Sequence, residues 1–510
     1  VKAALLALPA TLDETYERML QKISVDDQQY ALCLLRWLAY AHSPLTLEEL
    51  AEASTIYPGE DVADDVVATD DRGGWEDALD VLAGLVVTIE SSSQDATNGA
   101  PLSDGLAEPH DRDSVLSKDL ITKSTTIRLA HFSVKEYLES PRIAGSIVQT
   151  FKLDPGRDHR WITQSCLAYL IHYSNCMNKS SSEQDRFIFP LLEYSATTWY
   201  RHALLEFPLG CDRPAQFLTC DSYRKHWLLV HQPEIIWARP FSGRADKGNP
   251  VYYASFLGLT GVVQMMLNDG VEVNTQGGYH GNALQAASWA GHEEVVQLLL
   301  AAGARVNVQG GEHTDALRAA SISGNLTIVQ LLLAAGAELN PSSGGRYGHA
   351  LQAAATYGHR NVVDVLLAAG AKVNASGEPH GYALQAASAG GHKNIVKILL
   401  AAGAEVNACD EGSYTALWIA SYCGHEIVVQ TLLAAGADVH VRHFARPLTV
   451  ASQMGHEKVV RMLLEAGAVD MEEIDAAERR TWTIDDWFRR SLCLVPRSTP
   501  PDEVSRALPL

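Results

Sequence analysis

The sequence predicts a mainly α protein in which a solenoid of stacked helix pairs follows an N-terminal helical region. Three observations carry that expectation. One segment, ALQAASWAGHEEVVQLLLAAGARVN at Ala283–Asn307, is written six times with small edits between Val273 and Ala468. The leucine of its AL pair falls at Leu284, Leu317, Leu351, Leu384, Leu417 and Leu448, intervals of 33, 34, 33, 33 and 31 residues. Within each copy the apolar residues recur at helical spacing and are punctuated by glycine.

Each piece of the copy has a physical role. A short apolar segment, Ala283 to Ala290, ends at Gly291, and a longer one, Glu293 to Ala302, ends at Gly303; glycine after a helix takes the left-handed conformation without a Cβ clash. Asn282, Asp315 and Thr415 precede the first helix of their copies as N-cap acceptors. The Gly, His and Tyr-rich stretch from Asn274 to Asn282 reads as a turn or short hairpin finger. Paired Ala286 and Ala287 allow close helix approach, and Leu298, Leu299 and Leu300 fill the space between repeats. One copy cannot bury that stripe alone, so the stack is the folding unit.

These residues and the period resemble ankyrin repeats. The copies depart from the family's TPLH signature, reading NALQ, DALR, HALQ, YALQ, TALW and RPLT, with only Thr415 and Pro447 as in the family. The Gly-His pair persists at His292, His359, His392, His425 and His456, with Asn325 as the exception, and these histidines read as structural residues at the turn between paired helices. A degenerate earlier copy, Asn249 to Asn274, reads as the N-terminal cap.

At 510 residues the chain has room for two to four domains. Its net charge of −21 argues against a nucleic-acid or anionic-membrane surface. Eight cysteines are scattered without CxxC or CxxH, which suggests neither a disulfide framework nor zinc and points to a reduced, cytoplasmic setting. No apolar run approaches the ~20 residues that span a bilayer. The opening VKAALLALPATL runs directly into an amphipathic helix rather than a cleavage site, and the start at Val1 reads as a fragment lacking its 5′ part.

In the N-terminal region helical spacing runs over Leu12–Ile23 and Asp27–Ala41. Leu45 to Ser54 opens a third helix with Thr46 as N-cap and Glu49 as its capping-box partner. An acidic, solvated loop follows, with Glu60, Asp61, Asp64, Asp65, Asp70 and Asp71, then a fourth helix near Trp75–Leu82. Strand-like runs at Leu85–Glu90 and Thr125–Phe132 flank a polar stretch, 91–124, that reads as disordered. Helices followed by a two-stranded ribbon describe a winged helix. The segments LPATLDETYERMLQKI, LLRWLAYAHSPLTLEELAEA and IRLAHFSVKEYLESPRI resemble the winged-helix region after the NTPase domain of fungal NACHT–ankyrin proteins, relatives of NOD-like receptors. CLAYLIHYS and FPLLEYSATTWYRHA are similar to the helical connector those proteins carry next. The fold class expected is therefore mainly α: an ankyrin-repeat solenoid preceded by a winged-helix domain and a helical connector. Boundaries are expected at 1–145, 146–240 (the connector, running on toward Trp227 and Trp237), 241–470 (about seven repeats) and 471–510 (capping helix and tail).

Chemistry is sought and not found. GxxxxGK[ST], GxSxG and HExxH are absent, so no enzyme activity, cofactor or metal is expected from these residues. Histidines recur once per repeat in the fingers, but equivalent positions on stacked helices lie about 8–10 Å apart, whereas zinc ligands converge to about 2 Å from one ion. The acidic loop lacks the ligand order of a calcium loop. The helix that would enter a DNA groove carries Glu48, Glu49 and Glu52 and no cation, which argues against nucleic acid.

The informative signal is variation inside the frame. Two adjacent columns change freely: Trp289, Ile322, Thr356, Ala389, Tyr422, Gln453, and Ala290, Ser323, Tyr357, Gly390, Cys423, Met454. In ankyrin proteins this edge and the fingers line the concave binding face, so the resemblance implies a protein ligand there. Trp289, Ile322, Tyr357, Tyr422 and Met454, with finger residues Tyr279, His280, His313 and His380, are the candidate contacts; the competing reading is that Ile322 and Cys423 fill gaps between repeats. A non-catalytic interaction module coupled to a NACHT-type NTPase is expected, with a stand-alone ankyrin adaptor as the alternative and a DNA-binding regulator behind both.

Overall fold

A computed structural model describes residues 10–59, 64–68, 75–90, 125–205, 211–234, 248–311, 315–341, 348–377, 381–409, 414–441 and 446–468. The expected disordered insert at 91–124, Trp237, and the capping helix and tail from 471 lie outside the described residues, as do His313 and His380. The chain divides into two compact units, 1–246 with 261–269, and 247–260 with 270–510.

The first unit opens with α1 (Ala10–Gln21) and α2 (Gln28–Tyr40), then β1 (Leu45–Thr46) and α3 (Leu47–Ala53). The expected capping box forms: the Glu49 amide donates to Thr46 Oγ1 at 3.2 Å and the Thr46 amide donates to Glu49 Oε2 at 2.7 Å. Leu45 belongs to a strand rather than to the helix, because Thr46 is an extended N-cap and Leu45 pairs with Ile127. Two short strands, β2 (Ile56–Tyr57) and β3 (Val66–Val67), pair antiparallel, with α4 (Trp75–Val81) next. The ribbon of β4 (Val86–Glu90) and β5 (Thr125–Leu129) then completes a three-stranded antiparallel sheet in the order β1-β5-β4. β5 stops at Leu129 rather than at Phe132, since His131 caps α5 (Phe132–Glu139) by accepting the Ser133 amide on Nδ1.

Two 3₁₀ turns lead into α6 (Pro155–Asn175), whose start combines Pro155 with the Asp154 side chain accepting from the Arg157 amide at 2.9 Å. The short α7 (Asp185–Ile188), then α8 (Leu192–Leu204), α9 (Asp212–Thr219) and α10 (Asp221–Val230) follow. α6 packs against α2, α8, α9 and α10, and its residues Ile162, Cys166 and Tyr169 are fully buried. Trp37 meets Trp161 and Tyr194 edge-on, and Trp199 meets Trp227 with ring centroids 5.6 Å apart. The acidic loop is not solvated throughout: Asp65 is held by Arg213 Nη2 at 2.6 Å and by the Gly59 amide at 3.0 Å. Nor is Glu52 an outward-facing helix residue. It is buried and accepts a 2.6 Å hydrogen bond from the Tyr169 hydroxyl.

α11 (Pro250–Phe256) begins the array and α12 (Thr260–Asn268) follows it in sequence. Five full pairs come next: α13 (Ala283–Ala290) with α14 (Glu293–Ala301), α15 (Ala316–Ser323) with α16 (Leu326–Ala334), α17 (Ala350–Tyr357) with α18 (Arg360–Ala368), α19 (Ala383–Ala389) with α20 (Lys393–Ala401), and α21 (Ala416–Cys423) with α22 (Glu426–Ala434). α23 (Pro447–Gln453) and α24 (Glu457–Glu465) close it. First helices stack on first helices and second on second, as the repeating apolar stripe requires. Asn282, Asp315 and Thr415 each accept an amide three residues on, and Gly291 and Gly303 adopt φ of 84° and 83°.

Three side-chain ladders recur along the array. His292, His359, His392, His425 and His456 direct Nε2 at the carbonyls of Phe256, Ile322, Thr356, Ala389 and Tyr422, at 2.8–3.0 Å. Asn325, the exception in sequence, does the same work by donating Nδ2 to the Gly291 carbonyl. The asparagine that ends each copy bridges forward: Asn374 donates to the Gly403 carbonyl and accepts the Glu405 amide, both at 3.0 Å. Where the family has the histidine of TPLH, glutamine takes over the stitching. Gln285 donates to the Val308 and Gly310 carbonyls, and Gln385 to those of Ala408 and Tyr414.

Candidate protein-binding face

The histidine ladder prepares the variable columns. A carbonyl only accepts, so each of these rings carries its proton on Nε2. Burial lowers the pKa of His292, His359 and His392 against a weaker opposing pull from the carbonyl, which keeps them neutral. The carbonyls they clamp at Ile322, Thr356, Ala389 and Tyr422 belong to the first variable column itself. An invariant frame atom thus fixes the backbone from which each changing side chain departs.

Those side chains collect into two clusters. In the first, Ile322 and Ala353 are buried, and Trp289 and Tyr357 pack on them half-buried. The Trp289 ring also stacks on His280 at 5.5 Å, and His280 stacks on Phe256 at 5.3 Å and meets Tyr279 edge-on at 5.1 Å. In the second cluster Trp418, Ile419 and Val450 are buried, with Ala389, Tyr414, Tyr422 and Cys423 packed around them. Tyr422 lies parallel to Trp418 at 5.6 Å, and Tyr414 closes the other side at 4.4 Å. Burial pushes the Cys423 thiol up to about 12, so it acts as a small apolar filler rather than a reactive thiolate.

The candidate contacts therefore separate by burial. Trp289, Tyr357, Tyr422 and Tyr279 keep part of their surface, and Met454 is 45% exposed. Ile322 is 3% exposed and His280 1%, so both side chains are packed inside the array. The His280 ring stacks on both Phe256 and Trp289, a pairing across repeats that spacing alone does not reveal. Sequence reasoning missed Trp418 and Tyr414. Their signal was present: Trp418 stands where three copies have glutamine, a large apolar substitution in a position the frame otherwise keeps polar.

The inner helices carry almost no charge. Across the six inner helices α13, α15, α17, α19, α21 and α23, Arg318 is the one charged side chain, 1% exposed and paired through Nε to Asp315 at 2.6 Å. Among the described residues no group of three or more His, Cys, Asp or Glu is arranged to hold a metal ion, and no helix is long and apolar enough to cross a membrane.

Residues 284–377 and residues 384–475 each match a family model that describes three copies of the ankyrin repeat. This part of the chain is thus a stack of ankyrin repeats, a fold that is typically non-enzymatic and generally binds protein partners. The chain is 32% identical over 303 residues to the azaphilone pigments biosynthesis cluster protein L of Monascus ruber, a match covering 54% of this chain and 55% of the relative. It therefore spans about half the length of that curated relative. The ankyrin repeat domain of human ASB11 aligns along 100% of its length with 44% of this chain, at 24% identity and a TM-score of 0.39.

Proposed function

We propose that the chain is a non-catalytic recognition module whose inner helices bind a protein ligand. The observation that carries this reading is the division of labour within the repeat: frame residues are spent on inter-repeat hydrogen bonds, while the columns that vary present half-buried aromatics on helices that carry almost no charge. Trp289, Tyr357 and Tyr422 are the anchors, joined by Tyr279 and Met454; His313 and His380, candidates from the sequence, lie outside the described residues.

The N-terminal unit fits a winged helix followed by a helical connector that transmits binding to a NACHT-type NTPase on the same or a neighbouring polypeptide. Supporting it are the ribbon β4–β5 beside β1, and α3 turned inward through Glu52 toward α6 rather than outward to a DNA groove. The mechanism is linkage: a ligand shifts such a switch by binding its two states unequally. A cytoplasmic setting goes with this reading. The alternative is a stand-alone ankyrin adaptor in which the winged helix is a folded appendage. The relative's description names a pigment biosynthesis cluster and no reaction, so no substrate is taken from it.

Replacing Trp289, Tyr357 and Tyr422 together with Ala tests the binding face. Co-purifying partners are expected to be lost while circular dichroism is unchanged; retained partners remove the assignment. Sequencing the transcript upstream of the codon for Val1 separates the two readings: an open frame containing a strand followed by GxxxxGK[ST] supports the switch, and a nearby stop and Met support the adaptor.

A further inference from the structure

The two aromatic clusters are not continuous. Tyr357 ends the first and Tyr422 belongs to the second, and the repeat between them contributes Ala389 and Gly390 at the same two columns. Gly390 is exposed, and a Cβ there would meet the His392 ring at 2.3 Å, the ring that clamps the Thr356 carbonyl. A side chain at Gly390 thus requires the His392 ring to shift from its present position.

We infer that this face takes an extended, uncharged peptide segment carrying two large apolar side chains, one for each cluster; the inference rests on the reading of the inner helices as the binding face. The spacing follows from the stack. Tyr357 and Tyr422 lie two repeats apart, about 16–20 Å at the usual packing distance of stacked helices. An extended chain covers that in about five to six residues at ~3.3 Å each.

Three properties of the site select this occupant. The floor between the clusters is lowered by Gly390 and Ala389. An extended chain, about 5 Å from its neighbours when packed, reaches that floor, whereas a helix about 10 Å across rests on the rings. The rings themselves are preorganised: Trp289 is stacked on His280 and Tyr422 on Trp418, so binding orders few new rotamers. Finally, the one charged side chain of the inner helices, Arg318, is buried and already paired. A carboxylate or ammonium on the segment would lose water and find no counter-ion.

The test is selection from a phage-displayed library of random peptides of about 20 residues, long enough for either anchor spacing, on the immobilised full chain. Enriched peptides are expected to carry two large apolar residues five or six positions apart, with no Asp, Glu, Lys or Arg between them. Affinity of a synthetic copy should fall about tenfold, near 1.4 kcal/mol, in Tyr357→Ala and again in Tyr422→Ala, with circular dichroism unchanged. Thr356→Glu, which places a carboxylate on the floor without removing a ring, should weaken the same peptide and keeps the test independent of either truncation. Peptides sensitive to one tyrosine alone overturn the two-anchor proposal and leave the binding face standing. Anchors about eleven to thirteen positions apart, the helical spacing for this distance at ~1.5 Å per residue, overturn the extended form. Binding insensitive to all three variants overturns both the proposal and the face. No enrichment over an uncoated support overturns the proposal.

Discussion

Gln385 shows how much of this array rests on single side chains. It is 1% exposed, donates Nε2 to the Ala408 and Tyr414 carbonyls, and accepts the Tyr382 amide on Oε1 at 2.8 Å. Gln385→Ala leaves those backbone groups unmatched in the interior and is expected to cost about 1–3 kcal/mol, read as a lower urea midpoint at unchanged slope. Histidines supply a second residue-scale test. His159 and His202 face each other through Nδ1 at 2.9 Å, with His202 Nε2 on the Tyr194 hydroxyl and the His42 ring 4.3 Å away. Burial, then neighbouring positive charge, pushes His159 down from 6.5 to about 4 and holds His202 well below the usual range. The unfolded chain therefore binds these protons first as pH falls, so stability is present above pH 6.5 and declines toward pH 4. Thermal unfolding between pH 7 and 4.5 should show this decline, and His159→Gln should flatten it.

At the scale of the repeat, the seams are not equal. Between α19–α20 and α21–α22 all three ladders are present, through His425, Asn407 and Gln385. Between α21–α22 and α23–α24 the frame is worn: His440 stands in the asparagine position and Trp418 in the glutamine position. His456 and the Lys458–Glu426 pair, exposed on both sides, hold that seam. Exposed ion pairs add little. Amide hydrogens of α23 and α24 are expected to exchange at least about tenfold faster than those of α19 and α20, because each lost pair of bonds lowers the local opening free energy by about 1–2 kcal/mol. Equal protection would mean that the apolar contacts of Trp418 and Val450 alone secure the last repeat.

At the scale of the whole molecule, charge sorts the partners. A chain of net charge −21 whose inner helices are neutral should repel duplex DNA and hold its ligand without ion pairing. Titration with labelled duplex DNA at low salt should give no saturable binding. Peptide affinity should change less than about twofold between 0.05 and 0.5 M salt, since screening acts on charges, of which the inner helices carry almost none. The N-terminal unit reaches the same balance differently. Its acids Glu52, Asp65 and Asp158 are each turned inward to a named donor: the Tyr169 hydroxyl, Arg213 and Arg36.

What sequence alone determined is everything that repeats or is local. The period set the helix pairs, glycine set their ends, and Asn282, Asp315, Thr415 and Thr46 announced their own caps, because helical spacing and capping act over a few residues. The tertiary structure decided which side chains are spent on packing and which are left to meet a partner. Ile322 sits in the same variable column as Trp289, yet it is buried beside Ala353, 31 residues away in sequence, and the finger residue His280 is buried against Phe256 and Trp289. Asp65 looks like one more acid in an acidic loop until Arg213 is folded against it. Burial depends on contacts distant in the chain, and a one-dimensional pattern records those only where the repeat itself carries them.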